Sequence, residues 1–251
     1  MQTLSLLHIA PTLAAFFGIH LNARVRPVEQ ILNVMHARNP DVVVLMVIDS
    51  LDSQLYSDFA AELEVLHKLV EQDGLLFDCE TVSTTTTPAI ASILTGLEPE
   101  SHGILRGEDV GTSKVNSILE LLDDAGKPTA AILETEGTKP LLGEISYVFP
   151  VDDRDDIKGY DELITTHTIS VLGKQEVKFV FAHLRTIDRF AHRGNDLRVA
   201  ATITNENMHE IAEAVGERNG MLFICGDHRA HLDERKASQG KATVPLIVGC
   251  P

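Results

Sequence analysis

Residues 84–105 read TTTTPAIASILTGLEPESHGIL. A run of hydroxyls stops at Pro88, an apolar segment of helical character follows, and Thr95-Gly96, Pro99 and His102-Gly103 then break the chain. Proline suits the first position of a helix, and a threonine before it suits the N-cap. The stretch therefore predicts a helix that opens at Pro88 with Thr87 as its cap. Thr86 then sits just outside the N-terminus, where backbone N–H groups and the helix dipole favour an anion. A hydroxyl held beside an anion site is what the nucleophile of a phosphoryl or sulfuryl transfer needs. A capped core helix after a Thr-rich strand gives the same local pattern, so the rest of the chain has to decide between the two.

Outward from this stretch, short apolar runs alternate with segments of helical period. VVVLMVI (42–48) is continuously apolar, as in a strand buried on both faces. Residues 58–72 read as an amphipathic helix and 74–80 as a strand. Helices are expected at 88–96, 114–125, 159–172 and 197–218. Strands are expected at 129–133, 146–150, 177–184, 221–225 and 244–249. Such alternation predicts an α/β fold, a mostly parallel central sheet with helices on both faces. The segment 151–162, VDDRDDIKGYDE, reads as a solvated acidic loop rather than a metal site.

Composition sets outer bounds. The 251 residues are 44% hydrophobic and 23% charged, enough for a folded core in one large domain. A net charge of −16 argues against broad binding to a nucleic-acid scaffold, but not against a small anion neutralised by cations in an acidic pocket. Cys79, Cys225 and Cys250 form no paired framework, which points to free thiols in a reducing compartment. The first 22 residues lack a basic leader, and no uncharged apolar run reaches the ~18 residues of a membrane-spanning helix. These features predict a cytoplasmic protein with no membrane association.

Ligands of open α/β sheets gather beyond the carboxyl ends of the strands. Asp49 follows the 42–48 strand, Thr86 follows 74–80, Asp188 and His192 follow 177–184, and Asp227-His228 follow 221–225. Each alone is compatible with a helix cap or a loop. Together they form a donor set of carboxylate and imidazole groups suited to Zn²⁺, and also to Mn²⁺ or Fe²⁺. Two such ions roughly 4 Å apart can clamp an in-line displacement at phosphorus.

The pieces VVVLMVIDS, TTTTPAIASILTGLEPESHGIL, FVFAHLRTIDRFAH and LFICGDH resemble, in order, segments of the alkaline phosphatase superfamily. The likeness is to its nucleotide pyrophosphatase/phosphodiesterase-like and phosphoglycerate-mutase-like branches. That resemblance implies one metal site from Asp49, Thr86, Asp227 and His228, and a second with Asp188 and His192. It implies Thr86 as nucleophile, two residues before the proline, with Thr85 and Thr87 as one-residue alternatives. The segment LLHIAPTLAAFFGIHLN (6–22) looks like the helix that usually ends these chains. Its place at the front implies a circular permutation, with Met1 and Pro251 near each other. The expected organisation is one domain over 1–251, with 1–40 the permuted helical segment, 41–251 the metal-site core, and no cap domain.

Three positions depart from the family pattern. Gln239 stands where a histidine usually completes the second metal site, with His231 as an alternative donor. Arg229 replaces a glycine after Asp-His, and can clamp a phosphate or sit on the surface. Ala89 replaces an asparagine of the diesterase-like relatives, so diesterase specificity does not carry over. His183 and His102 read as structural, the first a hydrogen-bonded core residue and the second part of a turn. The function implied is hydrolysis of a small anionic phosphate ester, monoester or diester, through a phosphothreonine on Thr86 with two divalent ions. The alternative is a metal-poor relative that binds an anionic ligand or protein partner. A sulfatase is disfavoured, because the Cys/Ser-x-Pro-x-Arg motif is absent. A mutase needs a second domain that is not evident.

Overall fold

A computed structural model of the chain describes residues 4–230 and 242–251. Eight strands form one sheet: β1 (Leu4–Ser5), β2 (Val43–Ile48), β3 (Leu75–Glu80), β4 (Thr129–Glu134), β5 (Tyr147–Val151), β6 (Phe179–Leu184), β7 (Met221–Gly226) and β8 (Thr243–Gly249). Their order across the sheet is β1-β3-β8-β7-β2-β6-β4-β5. β8 is antiparallel to both its neighbours, and every other pairing is parallel. Seven strands therefore point the same way, and their carboxyl ends share one edge. The mostly parallel α/β fold read from the sequence is the fold observed.

β2 lies at the middle and is buried at every position. Val44, Met46 and Ile48 feed one core, and Val43, Leu45 and Val47 feed the other, as the two-residue period of a strand requires. The first core is covered by helices Ser53–Asp58, Glu64–Glu71, Ile157–Leu172 and Leu197–Glu217. The second is covered by helices Ile9–Phe17, Glu29–Arg38, Thr86–Thr95 and Ile118–Asp124. No helix among the described residues is long and apolar enough to cross a membrane.

Three expectations change. The amphipathic segment 58–72 is not one helix: Ser53–Asp58 and Glu64–Glu71 are separated by a turn at 59–63. The helix read as opening at Pro88 begins at Thr86, with Thr85 as N-cap, so Pro88 is its third residue. A proline in the first turn lacks only a donor that has no partner there, so the helix can start two residues ahead of it. The acidic stretch 151–162 is only partly solvated loop, since its last residues enter helix Ile157–Leu172. Asp161 there is fully buried and accepts from Arg185 N, Thr186 N and Thr186 Oγ1 at 2.8, 3.0 and 2.6 Å. It fixes the turn that leads from β6 into the helix Thr186–Arg193.

Candidate active site

The carboxyl ends of the adjacent strands β7, β2 and β6 deliver Asp227, Asp49 and Asp188, all buried. After Ile48 the chain turns sharply, and Ser50 takes a left-handed φ of 64°. That turn brings Leu51 against β7, where a Cβ on Gly226 would overlap the Leu51 carbonyl oxygen, so only glycine permits the approach. Ser50 then ties two carboxylates together. Its N–H donates to Asp227 Oδ1 at 2.9 Å, and its hydroxyl donates to Asp188 Oδ1 at 2.9 Å. Asp227 Oδ1 also accepts from His228 N at 2.9 Å.

Thr86, the first residue of helix Thr86–Thr95, projects into this group. Its Oγ1 lies 3.1 Å from His228 Nε2 and 3.4 Å from Asp49 Oδ1. His228 Nδ1 lies 3.0 Å from the Arg229 carbonyl oxygen, which can only accept. The Nδ1 therefore carries the proton, and in the neutral ring the Nε2 lone pair faces Thr86, Asp49 and Asp227. Thr85 is instead exposed and bonds Ser83. Thr87 lines a neighbouring cavity.

One donor atom each from Asp49, Asp188 and His228 lie within 4.8 Å of one another, as do atoms of Asp49, His183 and Asp227. Asp49 thus belongs to both groups, and Asp188 joins the same cluster as Asp49 and His228. His192 sits at the rim, its side chain 57% exposed and its Nε2 3.4 Å from Asp188 Oδ1. Gln239 and His231 lie outside the described residues. Arg229 stands 3.9 Å from Asp52 Oδ2, and Ala89 is wholly buried within the helix Thr86–Thr95.

His183 and Glu134 were not among the site residues read from the sequence. His183 is fully buried between two carboxylates, 3.5 Å from Asp49 Oδ2 and 3.4 Å from Glu134 Oε2. Burial opposes its protonation, but hydrogen bonds and charge from Asp49 and Glu134 outweigh it and lift the ring to about 10. Each ring nitrogen faces a carboxylate, Nδ1 at hydrogen-bond distance from Glu134 and Nε2 at ion-pair distance from Asp49, so the protonated ring balances the charge of Asp49. Burial would raise Glu134, but the His183 hydrogen bond and charge hold it at about 2. Asp227 moves the other way: burial, then the charge of Asp49, pushes its carboxyl up to about 7. His102, by contrast, is a structural pin, buried with its ring nitrogens bonded to Ser92 Oγ at 3.0 Å and Ile104 N at 3.1 Å.

Asp227 Oδ2 is buried with no hydrogen-bond donor, and Asp49 Oδ2 has none either, only ion-pair contacts from His183 and Arg185. Buried carboxylate oxygens without donors are costly, and divalent cations satisfy them. Burial opposes protonation of His228, but the charges of Asp227 and Asp49 outweigh it and raise the ring above its ordinary value. An ion that displaces that proton is fitted by the donor set of hard carboxylate oxygens plus the imidazole Nε2.

Family models and solved structures resemble the chain over most of its length. Residues 43–118 match the family model for type I phosphodiesterase / nucleotide pyrophosphatase, and residues 143–251 match the metalloenzyme superfamily model. No curated protein matches the chain by sequence. Among solved structures, a 2-O GAG sulfatase superposes with a TM-score of 0.65 at 11% identity, over 84% of this chain and 64% of that one. The C-terminal periplasmic domain of EcEptC from Escherichia coli gives 0.58 at 14% identity, over 84% and 72%. Phosphonoacetate hydrolase from Sinorhizobium meliloti, in complex with phosphonoformate, gives 0.57 at 14% identity, over 76% and 57%. The chain thus spans less than two thirds of the length of the sulfatase and of the phosphonoacetate hydrolase. The two family models, met in order along one chain, and the shared fold of these structures make this protein a member of the alkaline phosphatase superfamily.

Proposed function

We propose that the protein is a metal-dependent hydrolase of phosphate esters with Thr86 as its nucleophile. The observation that carries this reading is the placement of the Thr86 hydroxyl, at a helix N-terminus and 3.1 and 3.4 Å from two donor groups of the buried cluster. Asp49, Asp227, His228 and Thr86 would hold one divalent ion, and Asp188 and His192 would contribute to a second. Zinc suits this donor set, as do manganese and iron. Such ions supply charge neutralisation for the hydroxyl and for the departing oxygen.

The protein's own groups then have defined tasks. The N–H groups of Thr86 and Thr87 lie in the first turn of the helix, where such groups have no partner within the helix and suit an anion. In the metal-free protein the Thr86 hydroxyl has two acceptors in reach, His228 Nε2 and Asp49 Oδ1; these atoms would hold the ion, so on ion binding the hydroxyl proton would leave to solvent. The Thr86 Oγ–P bond forms as the P–O bond to the leaving alcohol breaks, and the alcohol departs with a proton. Water then attacks the phosphothreonine, giving inorganic phosphate and regenerating the hydroxyl. His183 and Arg185 hold the charge of Asp49 from behind, at 3.5 and 3.8 Å from its Oδ2. Asp49 is thereby kept in place while its other oxygen faces Thr86.

The test is hydrolysis of p-nitrophenyl phosphate, bis-p-nitrophenyl phosphate and p-nitrophenyl sulfate by zinc- or manganese-loaded protein. Turnover of a phosphate ester is expected. Thr86→Ala should lower it at least about 10³-fold, as loss of a nucleophile does. Mass spectrometry of acid-quenched wild type should show phosphate on Thr86. Full activity in Thr86→Ala refutes the nucleophile, and turnover of the sulfate alone refutes the phosphate-ester class.

The order of segments also supports the rotated arrangement. β1 pairs parallel to β3, and the helix Ile9–Phe17 packs on the helix Thr86–Thr95, so the N-terminal segment is built into the sheet and its cover. A variant with residues 4–40 moved behind Gly249 through a flexible linker should fold and keep the same metal uptake. An unfolded product from linkers of several lengths would count against the rotation.

A further inference from the structure

A cavity of about 320 Å³ opens beside the nucleophile. Ile90, Ala91 and Leu94 of the helix Thr86–Thr95 form one wall, Ile104 and Val110 close it from above, and Phe181 of β6 lies at its floor. Two lining residues tie it to the acidic centre. Thr87 adjoins Thr86, and Glu134 accepts from His183, which in turn faces Asp49. The segment after Gly103 is anchored over the helix, because Ser113 Oγ donates to the carbonyl oxygen of the buried His102 at 2.8 Å. The size falls in the range of small-molecule sites, ~300–1,000 Å³.

The chemistry of the lining is selective. Three carboxylates reach it, Glu120, Glu134 and Glu144, and no Lys, Arg or His among the described residues does. A second phosphate group would meet only negative charge there. Phe181 is the only aromatic residue among the described lining residues, which leaves a nucleobase without a stacking pair. Leu105 and Leu142, each next to a lining residue, are two of the four large apolar side chains exposed on the described surface, at 55% and 57%.

We infer that this cavity receives the organic group of the ester, an uncharged apolar alcohol moiety, aliphatic or aryl, and not a nucleotide. This rests on the reading of Thr86 as the phosphate-ester nucleophile and names the substrate class of that site. The family model's nucleotide pyrophosphatase description makes the exclusion a substantive one.

The experiment uses non-hydrolysable phosphonates on the zinc-loaded full chain. Calorimetry compares 1-naphthylmethylphosphonate, methylphosphonate and the 5′-methylenephosphonate analogue of adenosine monophosphate. The naphthyl compound should bind at least about tenfold more tightly than the other two, the scale of filling an apolar pocket. Ala91→Phe fills the cavity and should erase that advantage. Val110→Trp fills it from the opposite side and serves where Ala91→Phe does not fold. Equal affinities, tighter binding of the adenosine phosphonate, absence of binding by all three, or an unchanged advantage in both variants overturns the inference. Tight naphthyl binding with no hydrolysis of any phosphate ester overturns the proposed activity instead, and leaves the cavity's preference standing.

Discussion

Ser50 carries no chemistry of its own, yet it spans two of the three carboxylates at a left-handed φ of 64°. Ser50→Gly keeps the N–H bond to Asp227, relieves roughly 1 kcal/mol of backbone strain, and loses a charge-assisted bond to Asp188 worth about 1.5–3 kcal/mol. The net stability change is therefore small, while Asp188 loses its orientation. Zinc affinity by calorimetric titration should fall about 10–100-fold, the usual effect of removing a group that orients a ligand. Ser50→Ala loses the same bond and keeps the strain, so it should melt below Ser50→Gly. An unchanged zinc affinity in both variants removes Asp188 from the metal site. Asp49, Asp188, Asp227 and His228 were legible in the sequence because each is a polar residue just past an apolar strand. Ser50 was not, because nothing in a non-glycine residue announces a positive φ. His183 was read as a hydrogen-bonded core residue, which it is, but its place beside Asp49 was not legible: it lies inside the buried run Phe179–Leu184, and only strand register puts it there.

Among the elements, the helix Thr86–Thr95 and the helix Ile9–Phe17 meet at one close contact. The first ends at Gly96, in the left-handed region with φ of 70°, where a Cβ would stand 2.9 Å from Pro11 Cδ. Gly96→Ala should destabilise by about 1–2 kcal/mol from the backbone alone, with the clash added. Because the clash is shared with Pro11, Gly96→Ala with Pro11→Ala should lose less than the sum of the single changes. Thermal or urea unfolding of the four proteins measures this. Strict additivity would show that the two helices do not press on each other. The buried strands were easy to place because unbroken apolar runs such as 42–48 fit few other structures. The segment 58–72 was not, since the helical period continues through a turn that only tertiary packing imposes. β3 was found as a strand, but its antiparallel pairing with β8 depends on partners some 170 residues away and leaves no local trace.

For the whole molecule, the acidic centre makes stability depend on pH and metal together. Three groups set the sign in metal-free protein. Asp227 is raised in the folded state, to about 7, so between the ordinary carboxylate range and neutrality the folded chain binds more protons than the unfolded one. Stability then falls as pH rises through that window. His183, raised to about 10, contributes stability in full below its ordinary value near 6.5 and loses it as pH climbs toward 10. Glu134, held at about 2, contributes above the ordinary glutamate range and loses that only as pH drops toward 2. Glu134 sets the loss on the acid side, and Asp227 and His183 the decline above it, so metal-free protein should be most stable in mildly acidic solution and should weaken above it. The overall charge of −16 adds self-repulsion in the same direction. A divalent ion reverses the trend, because it binds Asp227 only as carboxylate and releases the proton that burial otherwise retains. At a hundredfold excess over its dissociation constant an ion adds about 2.7 kcal/mol. Melting temperatures of chelator-treated protein should therefore decline from pH 5 to pH 9. The increment on adding zinc should grow over the same range. A zinc increment that is flat with pH would mean that the ion binds elsewhere than on Asp227 and its neighbours.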